Sequence, residues 1–295
     1  MAELTDFAAL KRGGFIKQRQ QDFFSVRLRA PAGFVTTEQL ARVQDAADRY
    51  GRGYVHLTAR QGIEIPWVRL EAFEALKSAL GEAGVIPAGC GPRVRNVMAC
   101  PGSATCSRGV VDCQALATEL DAGFFGRELP IKKFKIAISG CANSCTTPQV
   151  NDVGLVGVSE PELDASLCSG CELCVDACRE GALTMVDGLP ERDVAKCLDC
   201  GDCISVCPLD AWQAARTGYD LFVGGKVGRH PQLGARIGQF LTPEASLLAV
   251  QGIVTFIEER CNAKERFGAL LNRIGVTVLS EYLNVGETAC AVSRS

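Results

Sequence analysis

The 295-residue chain has no long apolar run, and none of its segments approaches the ~18 uncharged apolar residues of a membrane-spanning helix. Met1–Arg12 lacks the charged start, apolar run and small-residue cleavage site of a signal peptide, so none is predicted. Neither charge is in excess, because 31 Lys and Arg stand against 34 Asp and Glu, for a formal net charge of −3. This balance argues against a nucleic-acid or membrane-surface role for the whole chain.

A dinucleotide-binding fingerprint is also missing. The glycine-rich candidate, Gly224-Gly225-Lys226-Val227-Gly228, lacks the strand–turn–helix context that such a fingerprint requires. A nicotinamide or flavin dinucleotide site is therefore not predicted on this chain.

Cysteine, by contrast, is abundant: twelve of the sixteen cysteines fall into two metal-ligand patterns. Four thiolates hold one cubane, so twelve predict three [4Fe-4S] clusters. A chain of this length with so many thiolates favours the reducing cytoplasm over a secreted disulfide framework. The first pattern is Cys100-x5-Cys106 with Cys141-x3-Cys145, and the second is Cys168-x2-Cys171-x2-Cys174-x3-Cys178 with Cys197-x2-Cys200-x2-Cys203-x3-Cys207.

Residues 161–210 carry the second pattern, with few aromatics and short apolar spacers, as expected of a small inserted domain. In paired runs of this spacing, the fourth cysteine of each run ligates the other cluster. Zinc is the alternative, but zinc sites pair two C-x2-C units and need no third cysteine at this spacing. Pro208 follows Cys207 whereas Arg179 follows Cys178, so a different turn is expected at the first run. The predicted ligand sets are Cys168, Cys171, Cys174 and Cys207 for one cluster, and Cys197, Cys200, Cys203 and Cys178 for the other.

Hydrophobic periodicity predicts an α+β architecture around this insert. The first 85 residues read as a β-α-β-β-α unit, with a helix that follows the capping box Thr36–Gln39 and runs to Tyr50. Further helices are predicted at Glu71–Ala83, at Gln114–Phe125 and through most of Pro243–Ile274. The predicted strands are Phe23–Leu28, Tyr54–Leu57, Ile63–Val68, Lys133–Ile138, Asp152–Val158, Tyr219–Val223 and Thr277–Leu283.

The chain outside the insert resembles the sirohaem sulfite and nitrite reductase family, in its single-repeat, anaerobic sulfite reductase type with an inserted two-cluster ferredoxin domain. The resemblance implies that Cys100, Cys106, Cys141 and Cys145 hold a cubane and that Cys145 also bridges to the sirohaem iron. The motifs that carry it are Gln18–Gly33, Leu57–Gln61, Val94–Gly102 through Cys106, Gly140–Cys145, Asp152–Gly157, Gly218–Lys226 and Glu265–Gly268.

The resemblance also implies a set of basic residues for substrate and haem. Arginine suits the oxygens of a small anion through its planar fork, and lysine adds a charge and a transferable proton. Each of these cations alone would be read as a solvated charge, but together, in family order, they favour a pocket. The implied substrate residues are Arg27, Arg95, Lys133 and Lys135, with both lysines on one face of their strand. The implied haem contacts are Thr58, Arg60, Arg29 and Lys226.

From the same resemblance we expect a ferredoxin-like α+β half domain over residues 1–88 and a sirohaem/[4Fe-4S] domain over 89–160 and 211–295, interrupted by the insert at 161–210. The implied activity is six-electron reduction of sulfite to sulfide. One alternative is reduction of nitrite to ammonia, although nitrite reductases of the family commonly have asparagine at the position of Lys135. The other alternative is a non-catalytic iron–sulfur electron-transfer subunit.

The expected partners are an electron donor and a second subunit, which a single repeat does not itself provide. An external donor is expected to supply electrons, either a flavin or iron–sulfur subunit or a soluble ferredoxin. Two-repeat members of the family combine residues from both halves, so a homodimer or heteromer is expected of this single repeat. The four remaining cysteines, Cys90, Cys113, Cys261 and Cys290, are predicted to be buried and to behave as small apolar residues.

Overall fold

The computed structural model describes residues 6–284 and divides them between two compact units. Of the described residues, the first unit combines 6–98 with Ala117–Ile136 and Val254–Ile274. The second unit contains Ala99–Leu116, Ala137–Ile253 and the described residues 275–284. Cys290, which is predicted to be buried, lies outside the described residues. So do residues 1–5 of the segment in which no signal peptide is predicted.

A four-stranded antiparallel sheet with helices forms the first unit. Its strands are β1 (Phe15–Lys17), β2 (Phe23–Leu28), β3 (His56–Leu57) and β4 (Ile63–Arg69), in the order β1-β2-β4-β3. Three helices lie in the same stretch of chain: α1 (Phe7–Arg12), α2 (Thr37–Tyr50) and α3 (Phe73–Gly81). Sequence periodicity missed α1 and β1, because six and three residues are too few to display a repeat.

The core of the first unit follows directly from alternation along β2. Phe24, Val26 and Leu28 are buried, while the residues between them are half-buried. Helix α2 starts where the capping box predicts, because the Thr36 hydroxyl accepts from the Gln39 amide at 3.1 Å and the Gln39 side chain accepts from the Thr36 amide. The helix buries Val43, Ala46 and Ala47 against the same core.

A five-stranded sheet belongs to the second unit except for Met98 and Ile136, the first residues of two of its strands. Its strands are β5 (Met98–Ala99), β6 (Ile136–Ser139), β7 (Val153–Leu163), β10 (Trp212–Val223) and β11 (Ala235–Leu241), in the order β11-β10-β7-β6-β5. Strands β7 and β10 are longer than predicted, and pair from Val153↔Val223 out to Leu163↔Trp212. The cysteine-rich insert is therefore carried at the end of a continuous antiparallel ribbon.

The insert repeats one small motif twice. Its elements are the helices α5 (Leu173–Ala177) and α6 (Asp202–Val206) and the hairpin β8 (Leu183–Val186) and β9 (Leu189–Arg192). Cys174, Leu183, Cys203 and Trp212 form a small buried core, with Cys178 and Cys207 packed against them. So small a core gives little hydrophobic stabilisation, and bound metal would supply the rest.

The remaining helices are α4 (Cys113–Phe124), α7 (Pro243–Arg260), α8 (Phe267–Ile274) and α9 (Val276–Leu283). The predicted strand at Thr277–Leu283 is wrong, because these residues form α9. Its β-branched residues favour a strand, but Leu279 is buried and Leu283, one turn on, packs against Gly252. Tertiary contact thus overrides local propensity. None of the helices in residues 6–284 has the length and apolar content needed to cross a membrane.

Candidate functional site: a basic cavity and three cysteine clusters

Six of the implied substrate and haem residues line one cavity of about 300 Å³ in the first unit. They include five cations, and no acidic side chain belongs to the described lining. A wall with this excess of cations favours an anionic ligand. The lining consists of Arg27, Leu28, Thr58, Ala59, Arg60, Gly62, Ile63, Ala88, Gly89, Arg95, Asn96, Lys133 and Lys135.

Strand pairing fixes Arg27 in this cavity. Arg27 on β2 lies opposite Glu64 on β4, and its Nε donates to the Glu64 carboxylate. Burial disfavours the charge on Arg27, but the hydrogen bonds and charges of Glu64 and Cys90 together outweigh it and raise the pKa of the guanidinium. A second bond runs from Arg27 Nη1 to Cys90 Sγ, at 3.2 Å.

Arg95 is held by the loop that precedes it. Its Nη1 donates to Cys90 Sγ at 2.8 Å, and its Nη2 to the Gly91 carbonyl at 3.3 Å. Arg95 Nε and the Asn96 side-chain oxygen are buried without a hydrogen-bond partner. Because an unsatisfied buried donor is costly, an orphaned cationic N–H in a cavity wall fits a bound anion.

Lys133 and Lys135 flank the buried Phe134, and both line the cavity. Regular strand begins only at Ile136, later than predicted, yet Phe134 bridges Val94 in parallel and keeps the segment extended. The alternation expected from the sequence is therefore present at Lys133 and Lys135, which both face the cavity.

The turn at Thr58–Gly62 places Thr58 and Arg60. The Thr58 hydroxyl accepts from the amides of Arg60 at 3.3 Å and Gly62 at 3.0 Å, which closes the turn. Arg60 Nη2 donates to the Asn96 carbonyl at 2.8 Å. Arg60 thus fastens the Asn96 segment while it lines the cavity, so part of its role is structural.

Two implied haem contacts are not brought to this cavity. The Arg29 guanidinium pairs with the buried Asp121 carboxylate and lies 4.3 Å from the centre of the Phe125 ring. These contacts account for Arg29 as a structural residue. Lys226 belongs to the second unit, where its backbone pairs with Gln232.

The four cysteines implied for the sirohaem-linked cubane lie in the second unit. Burial and the neighbouring sulfurs of Cys100, Cys145 and Cys106 raise the pKa of Cys141, as expected of thiolates gathered at one place. Cys100 Sγ accepts from the Gly140 amide at 3.1 Å. The sulfurs of Cys100 and Cys113 lie 4.0 Å apart, and the hydrogen bond between them lowers the pKa of Cys100 to about 6. Cys113 is buried as predicted, but it also contacts the sulfur of an implied ligand, a role that its spacing did not indicate.

Glycines allow the backbone around these cysteines to pack closely. A Cβ on Gly157 would lie 2.6 Å from the Gly140 carbonyl oxygen and 2.4 Å from Val111. Only glycine permits so close an approach of β7 to the residue that precedes Cys141.

In the insert, two cavities divide the eight cysteines. One is lined by Cys178, Cys197, Cys200 and Cys203, and the other by Cys168, Cys171, Cys174 and Cys207. These are the same two sets that spacing predicted, including the exchange of the fourth cysteine. Although each set of four cysteines lines one cavity, no three His, Cys, Asp or Glu side chains within residues 6–284 have the arrangement of a site for a metal ion.

The expected difference between the turns after Cys178 and Cys207 is absent. Each sulfur accepts a backbone amide four residues later, from Ala182 and Ala211, and both bonds are 3.3 Å. The φ angles of the two cysteines are −77° and −74°. Both cysteines have extended backbone, with ψ angles of 98° and 114°, which the residue before a proline prefers and which Cys178 adopts before arginine as well.

The two cavities differ in their neighbours. The cavity lined by Cys178, Cys197, Cys200 and Cys203 also contacts Ala142 and Asn143, which lie between Cys141 and Cys145. We call it the inner cavity, and the one lined by Cys168, Cys171, Cys174 and Cys207 the outer cavity. The outer cavity is lined only by residues of the insert and its supporting strand, and its Cys171 is exposed.

Comparison with known families matches nearly the whole chain. Residues 90–288 match the family described as nitrite and sulphite reductase 4Fe-4S domain, and residues 16–83 match the nitrite/sulfite reductase ferredoxin-like half domain. Together these matches cover both sides of the cysteine-rich insert.

Two relatives extend over most of the chain. It is 33% identical over 272 residues to a coenzyme F420-dependent sulfite reductase of Methanocaldococcus jannaschii, covering 89% of this chain but 42% of that protein. It is 27% identical over 271 residues to one of the subunits of the anaerobic sulfite reductase of Salmonella typhimurium, covering 84% of this chain and 78% of that one. The chain therefore spans less than half of the first relative and most of the second.

A solved structure shares the fold. Dissimilatory sulfite reductase I superposes with a TM-score of 0.74 at 22% identity, over 89% of this chain and 69% of that one. At this identity the likeness confirms the α+β fold that the sequence predicts.

Proposed function

The chain belongs to the nitrite and sulphite reductase family, and from that membership we propose that it is a sirohaem-dependent sulfite reductase that forms sulfide. The observation that carries the proposal is the cavity with Arg27, Arg95, Lys133 and Lys135 in its wall. Sulfite is a small, doubly charged oxyanion, and a wall of cations with an orphaned guanidinium donor has the chemistry to bind it.

In this proposal the cations have two tasks. Arg27 and Arg95 neutralise and orient the sulfite oxygens through charge-assisted hydrogen bonds. Lys133 and Lys135 bind as point charges and deliver protons to oxygen atoms as the S–O bonds break. The cations thereby stabilise the charge that builds up as electrons are added.

Bound sirohaem would supply the iron that binds sulfite and accepts electrons singly. The residues proposed to hold it are Cys145, through its sulfur, and Thr58 and Arg60, through donors to carboxylates. The donor chemistry of the chain fits a carboxylate-rich macrocycle, because the cavity wall is cationic. Arg29 and Lys226 remain predictions as further contacts.

The insert is proposed to be a two-cluster ferredoxin domain that relays electrons. Electrons would pass from the outer cavity to the inner cavity, then to the cubane on Cys100, Cys106, Cys141 and Cys145. The contact of the inner cavity with Asn143, between two ligands of that cubane, supports this order. An external electron donor would deliver electrons at the outer cavity, where Cys171 is exposed.

We infer the kind of electron donor from the surface around the outer cavity. Residues 161–210 contain eleven Asp and Glu against three Lys and Arg. Glu172 lines the outer cavity, and Leu173 and Leu209, which also line it, are 46% and 48% exposed. An apolar centre inside an acidic surface suits a redox protein with a basic docking face.

Nitrite reduction is the second candidate, since the same architecture reduces both anions. Lys135 lines the cavity beside Lys133, and a second lysine favours the doubly charged sulfite over the singly charged nitrite. We also retain the proposal of a homodimer or heteromer. Full activity in a monomeric holoprotein would contradict it.

The proposed function is tested by product and stoichiometry. Protein produced in a sirohaem-competent host is assayed anaerobically with reduced methyl viologen, and sulfide is quantified. We expect six viologen radicals to be consumed for each sulfide formed, and ammonia formation from nitrite to be slower. A holoprotein that binds sirohaem but forms neither sulfide nor ammonia would support the non-catalytic alternative.

A further inference from the structure

Cys90 joins the two arginines of the basic cavity. Arg27 Nη1 and Arg95 Nη1 both donate to its sulfur, at 3.2 Å and 2.8 Å. The side chain is 4% exposed and does not belong to the cavity lining, whereas its neighbour Gly89 does. The sulfur therefore lies behind the wall, at the point where two guanidinium groups converge.

Apart from Cys90, the two arginines are anchored in different places. Arg27 is bound to Glu64 on β4, and Arg95 to the Gly91 carbonyl at 3.3 Å and the Gly89 carbonyl at 3.5 Å. Two like charges repel at short range. Among the hydrogen bonds of the described residues, the shared sulfur is the one acceptor that holds both guanidinium groups together.

We propose that Cys90 is a positioning residue that sets the separation of the Arg27 and Arg95 guanidinium groups, and so adapts the cavity to a divalent oxyanion. The inference rests on the proposed function, in which these arginines bind sulfite. Sulfite offers three oxygens and two charges and engages both arginines. Nitrite, with two oxygens and one charge, depends less on their spacing.

The predicted signature is a loss of binding with little loss of chemistry. Without the shared acceptor, Arg27 relaxes toward Glu64 and Arg95 toward Gly91, so each oxyanion contact weakens. Binding that is lost equally from substrate and transition state raises KM and leaves kcat nearly unchanged.

Three variants separate the acceptor from the volume it fills. Cys90→Val keeps a buried side chain of similar size but removes the acceptor, whereas Cys90→Ser keeps an acceptor. Cys261→Ala removes another cysteine of the first unit, one that contacts Glu265 and lies away from the cavity lining. Each holoprotein is assayed with sulfite and with nitrite, and its sulfite Kd is measured from the sirohaem spectrum.

For Cys90→Val we expect the sulfite KM and Kd to rise about tenfold, as for hydrogen bonds to charged groups, with a smaller rise for nitrite. Cys90→Ser and Cys261→Ala should stay close to the parent. If Cys90→Val fails to fold, Cys90→Ala takes its place, with sirohaem and iron content as the criterion of folding.

Two outcomes would overturn the inference. Equal impairment of Cys90→Val and Cys90→Ser would show that packing matters and the acceptor does not. Unchanged sulfite affinity in Cys90→Val would show that the arginines hold their spacing without it. A parent protein with no sirohaem bands or no sulfite turnover would instead contradict the proposed function.

Discussion

The basic cavity and the cysteine-rich insert are built in opposite ways. The cavity collects Arg27, Arg60, Arg95 and the lysine pair from segments far apart in the chain, whereas the eight cysteines of the insert lie in one continuous segment, 161–210. Their charges are also opposed. Residues 161–210 hold eleven acids and three bases, while the rest of the chain holds 23 acids and 28 bases.

This contrast fits the two tasks proposed for the chain. A cationic wall attracts and orients an anion, and an acidic surface around the exposed Cys171 suits electron delivery by a cationic partner. The near-neutral total charge conceals both. Variants in the cavity should therefore leave electron transfer through the insert unchanged, and variants in the insert should leave sulfite binding unchanged.

The largest effect is expected from a variant in the wall of the basic cavity. Arg95→Ala removes a guanidinium from the cavity wall and should lower sulfite turnover about 10²–10³-fold, as for loss of an oxyanion donor. The reduction of the clusters proposed for the insert, followed by stopped-flow absorbance, should be unchanged. Lys77→Met is the control, because Lys77 is an exposed cation of the first unit paired with Glu74. Slower cluster reduction in Arg95→Ala would break the separation.

The converse variant lies in the relay. Cys200→Ser removes a proposed cluster ligand from the inner cavity and should strongly lower viologen-driven turnover, because electrons would no longer pass the inner position. The sulfite Kd measured on the sirohaem spectrum should match that of the parent. Cys261→Ser is the control for loss of a thiol. Turnover equal to the parent would show that electrons bypass the insert.

A smaller effect is expected from surface charge. The double variant Glu172→Lys with Asp210→Lys adds positive charge beside the outer cavity, where both residues are exposed. Reduction by the methyl viologen cation should slow about three- to tenfold at low salt, and reduction by the dithionite anion should accelerate. Both shifts should shrink at high ionic strength. Glu38→Lys, an exposed first-unit residue, is the control, and equal shifts in that variant would count against a local effect.

The smallest effect concerns folding around Cys141. Gly157→Ala forces a Cβ against the Gly140 carbonyl and should cost about 1–3 kcal/mol of stability, as for overpacking. Iron content per chain should fall with it. Gly123→Ala meets open space in α4 and should gain up to about 1 kcal/mol. Thermal unfolding of both holoproteins gives the comparison, and an unchanged Tm in Gly157→Ala would contradict the close approach.

Sequence was informative where spacing alone determines geometry. The capping box at Thr36 is confirmed, the α+β fold is confirmed by the family matches, and the two cavities contain the cysteine sets that spacing predicts. These features depend on residues close together in the chain, so their register needs no knowledge of tertiary contacts.

The sequence did not predict contacts between residues that come from distant segments of the chain. Nothing in the spacing of Cys90 indicates that Arg27 and Arg95 meet at its sulfur, and Glu64 becomes a partner of Arg27 only through strand register. The wrong strand at Thr277–Leu283 has the same origin, because the contact with Gly252 decides it. Long-range packing supplies this information, and local patterns do not contain it.

The central claim is that the chain binds sirohaem and presents it to sulfite. An anaerobic ultraviolet–visible spectrum of the purified protein, recorded before and after sulfite is added to the reduced form, tests it most directly. The account predicts sirohaem bands that shift with sulfite. Broad iron–sulfur absorbance without haem bands, from protein made in a sirohaem-competent host, would contradict it and leave a three-cluster electron carrier on a reductase fold.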